Sequence, residues 1–355
     1  MDKLSLYKNL KVVVTGSTGF KGSWLCFWLN SINAKVVGIA LRPETGSILF
    51  NKLALNRKIK QIYLNINNFK KLNEVIKKEK PDIIFHLAAQ SIVSLSYSQP
   101  LQTIMTNVIG SCNILESARV NKIKNLVYIT SDKCYLNDNR TNSYKEDDIL
   151  GGDDPYSASK ACAELSFQTY HKSFFQDNKN LGYGTTRAGN VIGGGDMKKD
   201  RVVPDIIKSL QNKTKLIIRN PKATRPWQHV LEPLSGYLTL GNLLINKKLT
   251  RSVKPNWNFG PNTSNCKTVL QITQKIILLW GGKKKINVIK NKKFKESKLL
   301  MLSSKKAKEE LNWSPRLTFE ETIKMTVDWY KLFFSSGSIE KLSRQQIDYF
   351  LDKKI

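Results

Sequence analysis

The sequence predicts an α/β fold: a doubly wound parallel sheet followed by a smaller C-terminal domain. Three observations predict it. Short apolar, β-branched runs alternate with helical patterns through the first half of the chain. A glycine set, Thr15-Gly16-Ser17-Thr18-Gly19-Phe20-Lys21-Gly22, stands where the first such run meets the first helical pattern. Past Arg187 the alternation stops, and Gly193-Gly194-Gly195 and Pro204 punctuate shorter elements.

Each element follows from its residues. Residues 10–15 are a short apolar run and predict strand one. Residues 20–30 have helical spacing, with Trp24, Leu25, Trp28 and Leu29 near one face. Residues 34–40 predict strand two, and residues 68–80 an amphipathic helix closed by Pro81. Strands at 82–87, 125–130 and 181–187 are separated by long helices at 100–119 and 156–175. Strands joined by helices imply a parallel sheet covered on both faces, a Rossmann-type arrangement. The second half predicts helices at 203–210, 232–244, 269–280, 303–311 and 319–334, with a strand near 216–219. Residues 283–298 are a charge run, read as a solvated loop or edge strand. The division is placed at 1–190 for dinucleotide binding and 191–355 mainly for substrate binding, with some later segments returning to the first part.

Composition narrows the function classes. With 355 residues, 41% hydrophobic and 24% charged, a full core is expected and disorder is not. No apolar run approaches the roughly 18 residues of a membrane span. The first residues lack a signal-peptide pattern, and a cytoplasmic protein is expected. Five widely spaced cysteines without a CxxC speak against a disulfide framework and a zinc site; three histidines speak against a histidine-rich metal site. The net charge of +30 admits nucleic acid, an anionic membrane or an anionic small substrate. The excess is mostly Lys, beside abundant Asn and Ile, all with AT-rich codons, so base-composition bias on a solvated surface is the bland reading; a pyrophosphate-bearing substrate would still be drawn to such a surface. No nucleic-acid-binding motif is present, and neither nucleic acid nor membrane is expected as a partner.

Three motifs carry chemistry. In the glycine set, one glycine permits a tight turn and the next lets backbone approach a pyrophosphate at a helix N-terminus. Tyr156 and Lys160 lie four apart on a helix and share a face. A Lys cation and an oxidised nicotinamide would favour phenolate, making Tyr156 a base toward a hydroxyl. Thr130-Ser131-Asp132-Lys133 ends an apolar strand, where ligands of open parallel sheets bind. Singly, a plain turn, a chance spacing and a polar capping turn are the alternative readings of the three. Their joint order, each in its expected setting, is what points to a reaction site.

That layout, and segments along nearly the whole chain, resemble the CDP-glucose 4,6-dehydratase group of the extended short-chain dehydrogenase/reductase family. They are TGSTGFKGSWL at 15–25, FHLAAQ at 85–90, LSYSQP at 95–100, TSDKCY at 130–135, DPYSASKACAEL at 154–165, RAGNVIGGGD at 187–196, DRVVPD at 200–205 and IRNPKATRPWQHVLEPLSGY at 218–237. NFGP at 258–261 and SSKKAKEELNWSP at 303–315 follow more loosely. Most relatives carry Glu where Lys133 stands.

The resemblance implies conversion of CDP-glucose to a 4-keto-6-deoxy sugar by internal hydride transfer and loss of water. Tyr156, assisted by Lys160, takes the C4 hydroxyl proton. Lys133 removes the C5 proton as a free amine, Asp132 protonates the departing C6 hydroxyl, and Ser131, or Thr130, binds the C4 oxygen. Gly16, Thr18, Gly19, Phe20, Gly22 and Ala88 are implied to hold the cofactor along with Tyr156 and Lys160. Asn190, Arg201, Arg225, Trp227 and His229 are implied on the substrate side, Trp227 and His229 being equally readable as core. Asn107 is implied as a structural member of the active site. A homodimer through the two long helices is also implied.

Arg42 stands at the end of strand two, where an acid often binds ribose hydroxyls; NAD is expected, and Arg42 admits NADP. Asn65 replaces an Asp near the adenine, and Ser94 a common Arg. Two other readings stay open: a dehydratase or epimerase for another nucleotide sugar, and a non-catalytic cofactor-binding protein. Asp132-Lys133 speaks against an epimerase, and the intact Tyr156 and Lys160 against loss of catalysis.

Overall fold

The computed structural model describes residues 6–43, 48–138, 140–178, 180–249, 254–289 and 300–353. Seven strands form one sheet: β1 (Lys11–Thr15), β2 (Lys35–Ala40), β3 (Lys60–Tyr63), β4 (Ile83–His86), β5 (Asn125–Ile129), β6 (Gly182–Arg187) and β7 (Asn256–Asn258). Their order is β7-β6-β5-β4-β1-β2-β3, and every pairing is parallel. The strand order reverses between β1 and β4, which opens a crevice at their C-terminal ends.

The core strands alternate their side chains between two apolar layers. Val12, Val14, Phe85 and Val127 enter one cluster; Val13, Ile84, Leu126 and Tyr128 enter the other. The second layer is closed by α2 (Phe69–Glu79), by a long helix α3 over residues 100–120, and by α4 (Pro155–Tyr170). α2 is capped by Asn68, whose side chain accepts from Lys71 N, and it ends at Lys80 with φ 45° before Pro81. The first layer holds α1 (Phe20–Ser31), α5 (Leu231–Ile245), α6 (Phe319–Phe334) and α7 (Ile339–Asp352).

The expected single buried face of α1 gives way to burial of every residue from Gly22 to Leu29. α1 is covered from several sides: Trp24 lies against Gly194 and His229, and α7, a helix the sequence reading did not foresee, packs its Phe350 ring edge-on to Trp28 at 5.9 Å. β3 and β7 were also not foreseen. β7 returns from the C-terminal half to extend the sheet beside β6. Short strand pairs mark the rest of that half: Val191–Ile192 with Gln228–His229, Thr224–Pro226 with Cys266–Thr268, and Leu216–Ile218 with Ile286–Val288. The last lies in the charge run; residues 290–298 of that run lie outside the described residues.

Candidate active site

The turn after β1 is shaped by what cannot be there. Gly16 has φ 72°, and a Cβ on it would lie 2.9 Å from Ala88 N. A Cβ on Gly22 would lie 2.0 Å from Gly16 O. Glycine therefore lets the turn fold against both the first turn of α1 and the loop after β4. Gly19 opens α1 in an extended conformation, and no side chain caps the helix. Its first N–H groups stay available to an anion at the positive helix end. This cradle fits a dinucleotide pyrophosphate.

Opposite it, Thr15 Oγ1 accepts from Leu87 N and Ala88 N at 3.1 Å each and meets His86 Nδ1 at 2.8 Å. His86 Nε2 meets Ser111 Oγ at 2.9 Å. Burial, aided by Lys160, pushes the His86 imidazole down to about 3, so it stays neutral and acts as a strut. On the outer side, Thr18 Oγ1 donates to Leu41 O at 3.2 Å. Exposed Arg42 stacks on Tyr63, 4.7 Å from its ring centre. Exposed Asn65 accepts from Asn67 N at 3.0 Å through Oδ1.

The other two motifs converge at the C-terminal ends of β5 and β6. Asp154 caps α4, its Oδ1 accepting from Tyr156 N and Ser157 N at 3.0 Å each, with Pro155 in the first turn. This fixes Tyr156 and, one turn on, Lys160; both are buried. Burial drives the Tyr156 phenol up to about 12; a hydrogen bond with Ser131 opposes this and the Asp132 charge adds to it. The lowering expected from Lys160 is not among the causes; the Arg201 charge lowers it instead, and desolvation outweighs that. Lys160 itself is held at about 8 by burial, against the pull of Cys134 and Glu164.

Ser131 Oγ donates to Asp132 Oδ1 at 2.8 Å and accepts from Lys133 N at 3.3 Å. Asp132 is buried, and Asn190 Nδ2 donates to its Oδ2 at 3.4 Å. A Cβ on Gly189 would sit 2.0 Å from that same oxygen, so the chain after β6 presses against the carboxylate. Lys133 is half-buried, and its ammonium has no hydrogen bond or ion pair among the described residues. Thr130 does not share this environment: its hydroxyl donates to Glu164. Asn107 is fully buried in a π turn, Met105–Ile109, that interrupts α3. Its amide accepts from Gln90 N at 2.8 Å and donates to Gln90 O at 3.0 Å and Ser159 Oγ at 2.9 Å, tying α3 to α4.

The substrate-side residues divide. Asn190 stands beside Asp132, and half-buried Arg225 lies on the Thr224–Pro226 strand with Nη1 donating to Thr224 O at 2.9 Å. Arg201 is committed within the fold, at 2.6 Å to Asp196 Oδ2 and 2.9 Å to Ser91 Oγ. Trp227 and His229 correct the substrate-side expectation. Trp227 is buried with Nε1 donating to Lys267 O at 2.9 Å. His229 is fully buried, edge-on to Trp24 at 6.3 Å, and pushed down to about 3 by burial. Both pack the core, because the chain turns inward at Pro226 to enter α5.

Two features were missed. Lys21, half-buried in the first turn of α1, is lowered to about 8 by burial, with Asp132, Lys160 and Arg201 as its charged neighbours. A lysine in an otherwise apolar turn was the available signal. The second is a buried ion pair, Arg187 Nη2 to Glu164 Oε2 at 2.7 Å, joined by Thr185 at 3.1 Å and by Tyr135, whose hydroxyl lies 2.6 Å from Arg187 Nη1. Among the described residues no group of three or more His, Cys, Asp or Glu is placed to hold a metal ion.

Residues 13–326 match the family model described as GDP-mannose 4,6 dehydratase. The chain belongs to that family. Among relatives of this dehydratase family, CDP-glucose 4,6-dehydratase of Salmonella typhimurium is 42% identical over 99% of this chain and 98% of its own. dTDP-D-glucose 4,6-dehydratase of Dictyostelium discoideum is 28% identical, over 90% of this chain and 81% of its own. Among solved structures, dTDP-glucose 4,6-dehydratase of Bacillus anthracis in complex with NAD superposes with a TM-score of 0.77 at 24% identity, covering 93% of this chain and 99% of that one. UDP-glucose 4-epimerase of Thermotoga maritima superposes with a TM-score of 0.79 at 21% identity, covering 92% and 100%. The family's dehydratases and epimerases share this fold, so the fold alone does not separate them.

Proposed function

We propose that this chain is a hydro-lyase that converts CDP-glucose to CDP-4-keto-6-deoxyglucose and water, with NAD held in the glycine cradle. One observation carries the reading. The buried Asp132, with Lys133 beside it, follows β5 and is a charged neighbour of the Tyr156 phenol. A Tyr–Lys pair alone serves oxidation at C4, as an epimerase needs; an added acid and base serve elimination across C5 and C6. The strong likeness to the Salmonella enzyme supports CDP-glucose as substrate, and the NAD-bound Bacillus dehydratase supports NAD.

The residues then take these roles. Gly16, Thr18, Gly19, Phe20, Gly22 and Ala88 cradle the cofactor, with Arg42 and Asn65 toward its adenosine end. When bound, the oxidised nicotinamide supplies the hydride acceptor and donor, and a positive charge that favours phenolate. Tyr156 takes the C4 hydroxyl proton while Ser131 holds the C4 oxygen. The new ketone acidifies C5–H, Lys133 takes that proton, and Asp132 protonates the C6 hydroxyl as it leaves. Asn190 and Arg225 receive the diphosphate, Arg225 by a charge-assisted pair; Arg201 is a second contact once released from Asp196.

A second copy of the chain fits against α3 and α4. Their outer faces expose Leu101, Met105, Ile109 and Leu165, and Phe174 is exposed in the turn that continues α4, apolar surface suited to a helix-on-helix dimer. All five cysteines are free thiols, which suits a cytoplasmic setting. No helix among the described residues is long and apolar enough to cross a membrane.

The test is mass spectrometry of the products formed from CDP-glucose, with NAD and NADP supplied separately. The expected result is loss of one water with NAD and no net reduction of cofactor. Water loss only from another sugar nucleotide would reassign the substrate. No reaction across such a panel would sink the catalytic reading.

A further inference from the structure

Trp227 and His229 turn into the core, and the residue between them does something else. Gln228 is buried. Its Nε2 donates to Gly189 O at 2.9 Å and to Phe259 O at 3.0 Å. Its backbone N donates to Asn190 O at 3.3 Å. One residue thus holds both carbonyls of the turn after β6 and ties that turn to the chain leaving β7. Both oxygens that face Nε2 are backbone carbonyls, so the amide cannot be turned over without setting oxygen against oxygen.

The turn held in this way is the one that faces Asp132. A Cβ on Gly189 would lie 2.0 Å from Asp132 Oδ2, and Asn190 Nδ2 donates to the same oxygen at 3.4 Å. From the other side, Ser131 Oγ donates to Asp132 Oδ1 at 2.8 Å. Asn190 has φ 51°, a left-handed conformation that is uncommon for a residue with a side chain. Such a conformation persists where the surroundings hold it, and Gln228 grips the carbonyls of Asn190 and of the residue before it. Gln228 Oε1 is buried without a donor among the described residues. An unpaired buried acceptor lowers stability, a cost that an amide kept for stability alone would not carry.

We infer that Gln228 is a positioning residue for the acid of the proposed dehydration: it fixes the Gly189-Asn190 turn, and that turn fixes the Asp132 carboxylate against Ser131. Gln228 acts through the turn and not on the substrate. The inference rests on the dehydratase reading, in which Asp132 serves the elimination at C5 and C6 and Tyr156 with Lys160 serves the oxidation at C4. Loss of the Gln228 amide should therefore slow one half of the reaction and spare the other.

The test reads the two halves separately. Gln228→Met keeps the length of the side chain and removes both Nε2 bonds. Holoenzyme is mixed with saturating CDP-glucose; reduced nicotinamide is followed by its near-ultraviolet absorbance and products by quenched mass spectrometry, with folding checked by thermal melting. The variant is expected to oxidise C4 at the wild-type rate, then to accumulate reduced cofactor beside a sugar nucleotide that has lost two hydrogens and no water. Its water loss should slow by about tenfold to a hundredfold, with KM nearly unchanged. In an Asp132→Asn background the same substitution should add nothing, because the group it positions has gone. Slowing of oxidation and water loss by one factor, or of neither, rejects the positioning role, and so does a full additional loss in the Asp132→Asn background. Asn190→Ala covers a Met variant that does not fold, since half-buried Asn190 carries the contact from the turn to Asp132. Build-up of reduced cofactor at saturating substrate in Asn190→Ala supports the chain of contacts, and none rejects it. A wild type that releases no water from any sugar nucleotide fails the dehydratase reading instead, before Gln228 is reached.

Discussion

At Tyr156 two demands oppose each other. Burial excludes water from the reacting hydroxyl but pushes the phenol to about 12. The proposed cycle needs phenolate, so the bound cofactor's charge and Lys160 must together supply several kilocalories of relief, at about 1.4 kcal/mol per pH unit. Tyr156→Phe is expected to lower kcat by about 10²–10⁴-fold while leaving the melting temperature near that of the wild type, as read by steady-state assay and thermal melt. Lys160 gives a pH prediction with a definite sign. It is held down at about 8, so its ammonium, and the support it gives the phenolate, is lost as pH rises through that value. kcat/KM is expected to fall on the alkaline side with a midpoint near 8. The contribution of Lys160 to stability moves the other way. Between its folded value of about 8 and the ordinary lysine value, the unfolded chain binds more protons than the folded one, so stability rises with pH. Lys160→Arg, whose charge persists at high pH, should remove or raise the alkaline limb; an unchanged limb would assign it to another group, with Lys21 next in line.

Among the elements, α4, β5 and β6 are locked by one buried carboxylate. Glu164 lies a turn beyond Lys160 and accepts from Thr130 on the β5 side and from Thr185 and Arg187 on β6. Glu164→Gln leaves the Arg187 guanidinium buried without its counter-charge. It is expected to cost about 3–5 kcal/mol by denaturant unfolding, whereas exchanging both partners for apolar residues should cost far less. Gly189→Ala tests the other side of Asp132. The new methyl must displace the carboxylate or the chain after β6, so kcat should fall more than stability does, in parallel assays of the two. These contacts also explain what the sequence made legible. β1 was readable because Val12, Val13 and Val14 are buried on both faces and form an unbroken β-branched run. β3 was not, because Lys60-Gln61-Ile62-Tyr63 is an edge strand with no fully buried residue. β7, Asn256-Trp257-Asn258, hides its signal because two polar residues are satisfied by the buried network around Glu146 and Tyr144. The three site motifs were legible because spacing fixes which side chains share a turn. Trp227 and His229 were not, because the same residue types serve a core and a ligand site, and only the inward path of the chain decides between them.

At the scale of the whole molecule, charge and apolar surface need separate explanations. The net charge of +30 is spread over many exposed lysines, and one set of the exposed apolar residues lies on two neighbouring helices. On α3, Leu101, Met105, Ile109 and Cys112 recur at spacings of a helical face, and on α4 Cys162, Leu165, Ser166 and Thr169 do the same. Leu101 is 74% exposed and Leu165 50%, and a shallow hollow lined by Cys112, Cys162, Leu165, Thr169 and Tyr170 lies between the helices. Like-charged molecules repel, so association needs an apolar face large enough to offset that repulsion; screening by salt should strengthen it. A chain of 40.5 kDa is therefore expected to sediment as a dimer or larger, more completely as salt is raised. The double variant Leu101→Glu, Leu165→Glu places charge at the middle of the proposed contact and should sediment as monomer, with its thermal transition retained because neither side chain belongs to the core. If the wild type sediments as a monomer at micromolar concentration in moderate salt, the paired-helix interface is rejected. If the double variant stays associated, the contact lies on another face.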